Sequence, residues 1–192
     1  MKEVILVKNG ELALKGLNRR SFEDMLMANI RRRLASLGKF TCTPAQSTII
    51  VEGPEDADLD EATDRLLKVF GIAGLSRAAA VEKDMDVILD TCVEYTAPLL
   101  NAASTFKVEA KRADKKFPLN SPEICREVGG KILSRFHHLK VDVHNPDVII
   151  NVEVRDKCAF VHGNQLKGAG GMPSGSAGKA ALLVSGGIDS PV

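Results

Sequence analysis

Apolar residues recur along this chain first at the spacing of a strand and then at the spacing of a helix, and the two periods alternate. Residues 3–14 alternate loosely between apolar and polar and predict a first strand. Asn18 opens a helix whose apolar positions Phe22, Leu26, Ile30, Leu34 and Leu37 fall along one face, and Gly38 stands where a helix C-cap belongs. Residues 40–42 and 48–52 predict a strand pair around Pro44-Ala45-Gln46. Asp58 and Glu61 have the spacing of a capping box, and a short helix follows through Leu66, Leu67 and Phe70 to Gly71. Residues 75–81 give another strand. The order β-α-β-β-α-β is that of a ferredoxin-like unit.

A second unit starts near Asp84. Met85, Ile88, Leu89, Cys92, Val93 and Leu99 predict a helix, with Pro98 unsettling its last turn. Phe106, Val108 and Ala110 alternate with Lys107, Glu109 and Lys111, the pattern of a half-buried strand. Ser121 reads as an N-cap with Pro122 at the first helical position, and Val128, Ile132 and Phe136 continue as a helical stripe. Val148, Ile150, Val152 and Val154 lie on one strand face, and Asp156-Lys157 turns the chain into a hairpin partner over residues 158–162. From Gly163 to Gly178 the sequence is Gly-rich and polar and reads as a linker or surface loop. A last apolar run, Ala180-Ala181-Leu182-Leu183-Val184, reads as a buried strand.

Composition narrows the class. The 192 residues give room for one large or two small domains, and 44% hydrophobic with 27% charged content is that of a soluble globular protein. No apolar run approaches the length that spans a bilayer, and the N-terminus lacks the apolar length of a signal peptide, so a cytoplasmic location is expected. Cys42, Cys92, Cys125 and Cys158 are scattered, which fits reduced thiols rather than a disulfide frame or zinc site. His137 and His138 are adjacent and make a poor metal pair on a helix. No Trp and one Tyr leave little for base stacking.

Net charge is only +1, but its distribution is uneven. Lys15, Arg19, Arg20, Arg31, Arg32, Arg33 and Lys39 make one basic stretch, for which solvated helix charge is the favoured reading. Lys107, Lys111, Arg112, Lys115 and Lys116 make a second, and acids gather apart from both at Glu52, Glu55, Asp56, Asp58, Asp60, Glu61 and Asp64. Segregation of this kind builds a basic face on a nearly neutral protein.

The strand at residues 180–184 runs into Ser185-Gly186-Gly187-Ile188-Asp189-Ser190. Paired glycines let backbone approach an anion closely, converging N–H groups make an anion-binding concavity, and Ser185 and Ser190 add hydroxyl donors. Gly178-Lys179-Ala180 is not a Walker-type loop, because Pro173 and Ala180 occupy its first and last defining positions. The Ser-Gly-Gly-x-Asp-Ser turn resembles the PP-loop of the ATP pyrophosphatase family. That resemblance implies ATP held by Leu183, Val184, Ser185, Gly186, Gly187, Asp189 and Ser190, with Mg²⁺ neutralising phosphate charge.

The run from Phe106 through Lys111-Arg112-Ala113-Asp114-Lys115-Lys116-Phe117-Pro118 to Val128-Gly129-Gly130 is similar to the signature stretch of a THUMP domain, an RNA-binding module. The closing segment Asn145-Pro146-Asp147-Val148-Ile149-Ile150-Asn151-Val152-Glu153-Val154 is similar too. Lys111, Arg112, Lys115 and Lys116 beside a helix N-terminus suit RNA phosphates. THUMP, then Gly170-Gly171-Met172-Pro173-x-Gly175, then the PP-loop resembles the tRNA 4-thiouridine synthetase, or tRNA sulfurtransferase, family over all 192 residues.

The resemblance implies an α+β protein: a ferredoxin-like unit over 1–75, an α/β THUMP domain over 76–165, a linker over 166–179 and the first strand and turn of a truncated α/β PP-loop domain over 180–192. It implies an N-terminal fragment, inactive alone, with no catalytic residue or metal ligand of its own. Its implied partners are tRNA, a cysteine desulfurase as persulfide donor and a second copy in a homodimer, with a further link to thiamine thiazole synthesis and no membrane partner. Two alternatives stand beside it: an RNA-binding module without catalysis, and a PP-loop enzyme for a small molecule whose front domains are structural.

Overall fold

The computed structural model describes residues 1–10, 19–179 and 181. The PP-loop positions Leu183 to Ser190, Asn18 and Lys15 lie outside the described residues.

β1 (Lys2–Asn9) is buried without a break from Val4 to Val7 rather than alternating, because both faces of this central strand are covered. α1 (Arg19–Leu34) continues into a 3-10 turn at Ala35–Leu37 with Gly38 as its cap, and it buries Leu26, Ile30 and Leu34. β2 (Thr41–Ala45) and β3 (Thr48–Glu52) form the expected hairpin, and Pro44 is tolerated because β2 is an edge strand. Asp58 caps α2 (Leu59–Leu67) by accepting the Glu61 N–H at 2.9 Å. The Glu61 carboxylate goes to Arg65 at 2.7 Å, one turn on in the helix. β4 (Ile72–Val81) completes an antiparallel sheet in the order β2-β3-β1-β4, the ferredoxin-like arrangement.

The helix predicted after Asp84 is two helices. α3 (Met85–Tyr95) ends at Thr96, and Pro98 sits in the first turn of α4 (Ala97–Ala102), where its missing N–H costs nothing. β5 (Thr105–Arg112), α5 (Ser121–Arg135) and β7 (Val148–Val154) make a parallel βαβ unit. The two-residue β6 (Lys140–Val141) lies at the sheet edge, and β8 (Ala159–His162) closes the hairpin with β7.

β8 pairs with β4, so among the described residues the two units share one nine-stranded sheet. Leu75 packs with the core under α1 and α2, and Val81 packs with the core under α3 and α5. Both are alternate positions of β4, so these helices cover the same face. The opposite face carries a smaller apolar cluster, Val4, Leu6, Ala78 and Phe160.

The Gly-rich stretch read as a linker is tied down. β9 (Leu166–Lys167) pairs with Gly74 and Leu75 of β4. The Gly170 N–H donates to the Ile72 carbonyl at 2.8 Å, and the Gly71 N–H donates to the Gly170 carbonyl at 2.7 Å. A Cβ on Gly168 would stand 2.3 Å from the Ile72 carbonyl oxygen, so only glycine allows the backbones to come this close. Met172 packs against the core under α1 and α2. The segment is a strap across the ferredoxin-like unit.

Candidate nucleic-acid interface

β5 carries Lys111 and Arg112 to its C-terminal end, but successive strand residues leave the sheet on opposite faces. Lys111 is exposed. Arg112 is half-buried, and its guanidinium donates to the Phe117 carbonyl at 3.1 Å. Phe117 is buried in the core under α3 and α5, so Arg112 clamps the loop rather than projecting beside Lys111.

The loop between β5 and α5 is built around Asp114. Its Oδ2 accepts from Lys83 Nζ at 2.6 Å and its Oδ1 accepts the Lys116 N–H at 2.9 Å. The Ala113 N–H anchors the start of the loop on the Val154 carbonyl at 2.8 Å. The Lys83 ammonium, with the Lys116 N–H, holds the Asp114 carboxyl below the usual carboxylate range. The one acid of the loop is thus neutralised from behind, while Lys115 and Lys116 are exposed and engaged in no ion pair among the described residues. Lys83 belongs to this site. No local signal marks it, because it lies far back in sequence between β4 and α3.

The helix N-terminus differs from expectation in one respect. Asn120, not Ser121, is the N-cap, and it forms a capping box with Glu123: each side chain takes the other's backbone N–H, at 3.0 and 2.7 Å. Pro122 has no N–H. The seat for an external anion on these donors is filled by the chain's own Glu123 carboxylate, so the positive field of this loop comes from Lys111, Lys115 and Lys116.

The thiols sit in places that suppress reactivity. Burial pushes the Cys92 thiol up to about 12, and burial also raises Cys42, Cys125 and Cys158. Among the described residues no three His, Cys, Asp or Glu side chains come together as a metal site, and no helix is long and apolar enough to cross a membrane. His137 and His138 follow α5 instead of lying within it.

The family model of the ThiI ferredoxin-like domain matches residues 4–76, and the THUMP model matches residues 82–162. The chain thus carries the two domains one after the other. The ThiI ferredoxin-like domain supplies β1 to β4 of the shared sheet, and the THUMP domain supplies the loop around Asp114. A probable tRNA sulfurtransferase of Acetivibrio thermocellus is 49% identical across all of this chain and 50% of its own length. One of Alkaliphilus oremlandii is 47% identical across all of this chain and 49% of its length. The chain therefore spans about half the length of the curated relatives it matches. A solved 4-thiouridine synthetase–RNA complex with bound ATP matches the whole chain and 48% of its own, with a TM-score of 0.86 at 36% identity. A Pyrococcus horikoshii protein matches 90% of the chain and 57% of its own, with a TM-score of 0.78 at 32% identity.

Proposed function

We propose that this chain supplies the tRNA grip of a tRNA sulfurtransferase. The observation that carries the reading is the THUMP loop with its acid locked by Lys83 and its cations Lys115 and Lys116 turned outward, with Lys111 at the adjoining strand end. Phosphate contacts of this kind position an RNA by shape and charge without reading its bases. Similarity to a 4-thiouridine synthetase solved with RNA, and to relatives named probable tRNA sulfurtransferase, supports tRNA as that RNA.

In this reading the ferredoxin-like unit (1–75) and THUMP domain (76–165) hold the tRNA, residues 166–179 strap back across β4, and residues 180–192 begin the PP-loop domain. Leu183, Val184, Ser185, Gly186, Gly187, Asp189 and Ser190 bind ATP, with Mg²⁺ as counter-charge. The C4 oxygen of a tRNA uridine, usually at position 8, attacks the α-phosphorus and pyrophosphate leaves. The terminal sulfur of a persulfide, its sulfur supplied by a cysteine desulfurase, then attacks C4 and AMP leaves. A second thiol attacks the inner sulfur of the adduct, breaking the S–S bond, so that the thiouridine is released and a disulfide is left. Adenylation is needed because an unmodified carbonyl oxygen is a poor leaving group. The same sulfur delivery serves the thiamine thiazole ring, and a homodimer is the working form.

The test is equilibrium binding of the chain to an unmodified tRNA transcript beside a DNA duplex of similar charge. The tRNA is expected to bind more tightly, with log affinity falling linearly in log salt. Equal affinity for the two, or none for tRNA, overturns the reading.

A further inference from the structure

The first basic stretch, unremarkable in sequence, becomes a site in three dimensions. Arg32 and Arg33 of α1 meet Arg65 and Lys68 from the end of α2 around a cleft of about 600 Å³. The third wall is the strap: Asn29 Nδ2 donates to the Ser174 carbonyl at 3.1 Å and holds it there. Among the described residues no carboxylate lines the cleft. Arg65 is spoken for by Glu61 and the Ser36 hydroxyl, whereas Arg32, Arg33 and Lys68 enter no ion pair among the described residues. Phe70, 57% exposed, stands at the same cleft.

We infer that this cleft is a second RNA contact, gripping the phosphate backbone with Arg32, Arg33 and Lys68 and stacking an unpaired base on Phe70. The inference rests on the tRNA reading above and adds to it a site on the ferredoxin-like domain. Two features favour RNA over an acidic protein segment. Three uncompensated cations converge from two helices, which suits closely spaced phosphates. An aromatic face left open beside them suits a splayed-out base, the usual target of single-stranded RNA recognition. The cluster of acids Glu55, Asp58 and Asp60 lines a separate cleft with Lys2 and Arg77, so it does not weaken this field directly.

The experiment measures tRNA-transcript binding across a salt series for the unaltered chain, for Arg32→Gln/Lys68→Gln and for Phe70→Ala, with Lys115→Gln/Lys116→Gln alongside. All the altered positions are exposed, so the fold is kept, and circular dichroism checks it. Arg32→Gln/Lys68→Gln is expected to flatten the salt slope by about two. Phe70→Ala is expected to weaken binding about fivefold or more with the slope unchanged. If both cleft variants bind as the unaltered chain does while Lys115→Gln/Lys116→Gln weakens binding, the cleft is no RNA contact and the THUMP grip stands alone. The same result follows if the cleft belongs to an acidic protein partner. If the unaltered chain itself binds no tRNA, the functional reading falls and this inference with it.

Discussion

Glu153 shows how single residues join the two halves of this molecule. It lies on β7 with 6% of its surface exposed, yet it accepts from Lys8 of β1 at 3.1 Å and from Arg155 at 2.6 Å. Arg155 in turn lies over the Phe160 ring, 5.5 Å from its centroid. His162 Nε2 stands 3.6 Å from the same carboxylate, beyond hydrogen-bond range. Burial opposes ionisation of Glu153, but the Arg155 and Lys8 ion pairs outweigh it and hold the carboxyl well below the usual carboxylate range. A lowered folded-state value means that the contribution to stability is present above the unfolded value of about 4.3 and is lost as pH falls below it. Glu153→Gln is therefore expected to destabilise the protein by about 3 kcal/mol or more near pH 7, because it leaves Lys8 and Arg155 without their counter-charge. The gap from the unaltered chain should narrow steadily below about pH 4. Urea unfolding across pH measures it, and a gap independent of pH would contradict this account.

At the scale of elements, periodicity was a good guide wherever a segment packs by its own pattern. The stripes on α1 and α5 and the alternation on β7 emerge as expected, because each buries one face against a sheet. Readings failed where the deciding partner is distant in sequence. β6 and β9 are two residues each and exist only because β5 and β4 offer them an edge. The strap, read as a linker or surface loop, gave no sign of its ties to β4, because the close approach that its glycines serve is set by the folded neighbour. The α5 start was misplaced by one position because Asn120 and Ser121 are both good caps, and Pro122 fits either of the first two helical positions. The capping box makes its own prediction. Asn120→Ala should cost about 1 kcal/mol, a fall in Tm of roughly 2–4 °C for a chain this size, read by thermal unfolding. An unchanged Tm would mean that the box adds nothing to the helix start beside the interface.

Across the whole molecule, the shared sheet and the ties that cross it make a rigid base for a charged surface. Tyr95 of α3 donates to Glu3 of β1, which also binds Arg77 of β4, so the THUMP domain is bolted to the ferredoxin-like domain beyond the β4–β8 pairing. This base carries the cations of the THUMP loop and of the α1–α2 cleft, while the acids Glu55, Asp58 and Asp60 line a separate cleft. The candidate interface was half legible in sequence. Lys115 and Lys116 are exposed as their pattern suggested, but the inward turn of Arg112 and the lock from Lys83 are three-dimensional facts with no local signature. These facts also sharpen the test of the central claim, that this chain grips tRNA through its THUMP loop. The most direct measurement is the affinity for an unmodified tRNA transcript at low and moderate salt, for the unaltered chain and for Lys115→Glu/Lys116→Glu. The account predicts salt-sensitive binding that the variant weakens at least tenfold at low salt, with a salt slope smaller by about two. Equal affinity and equal slope for the two proteins would contradict it.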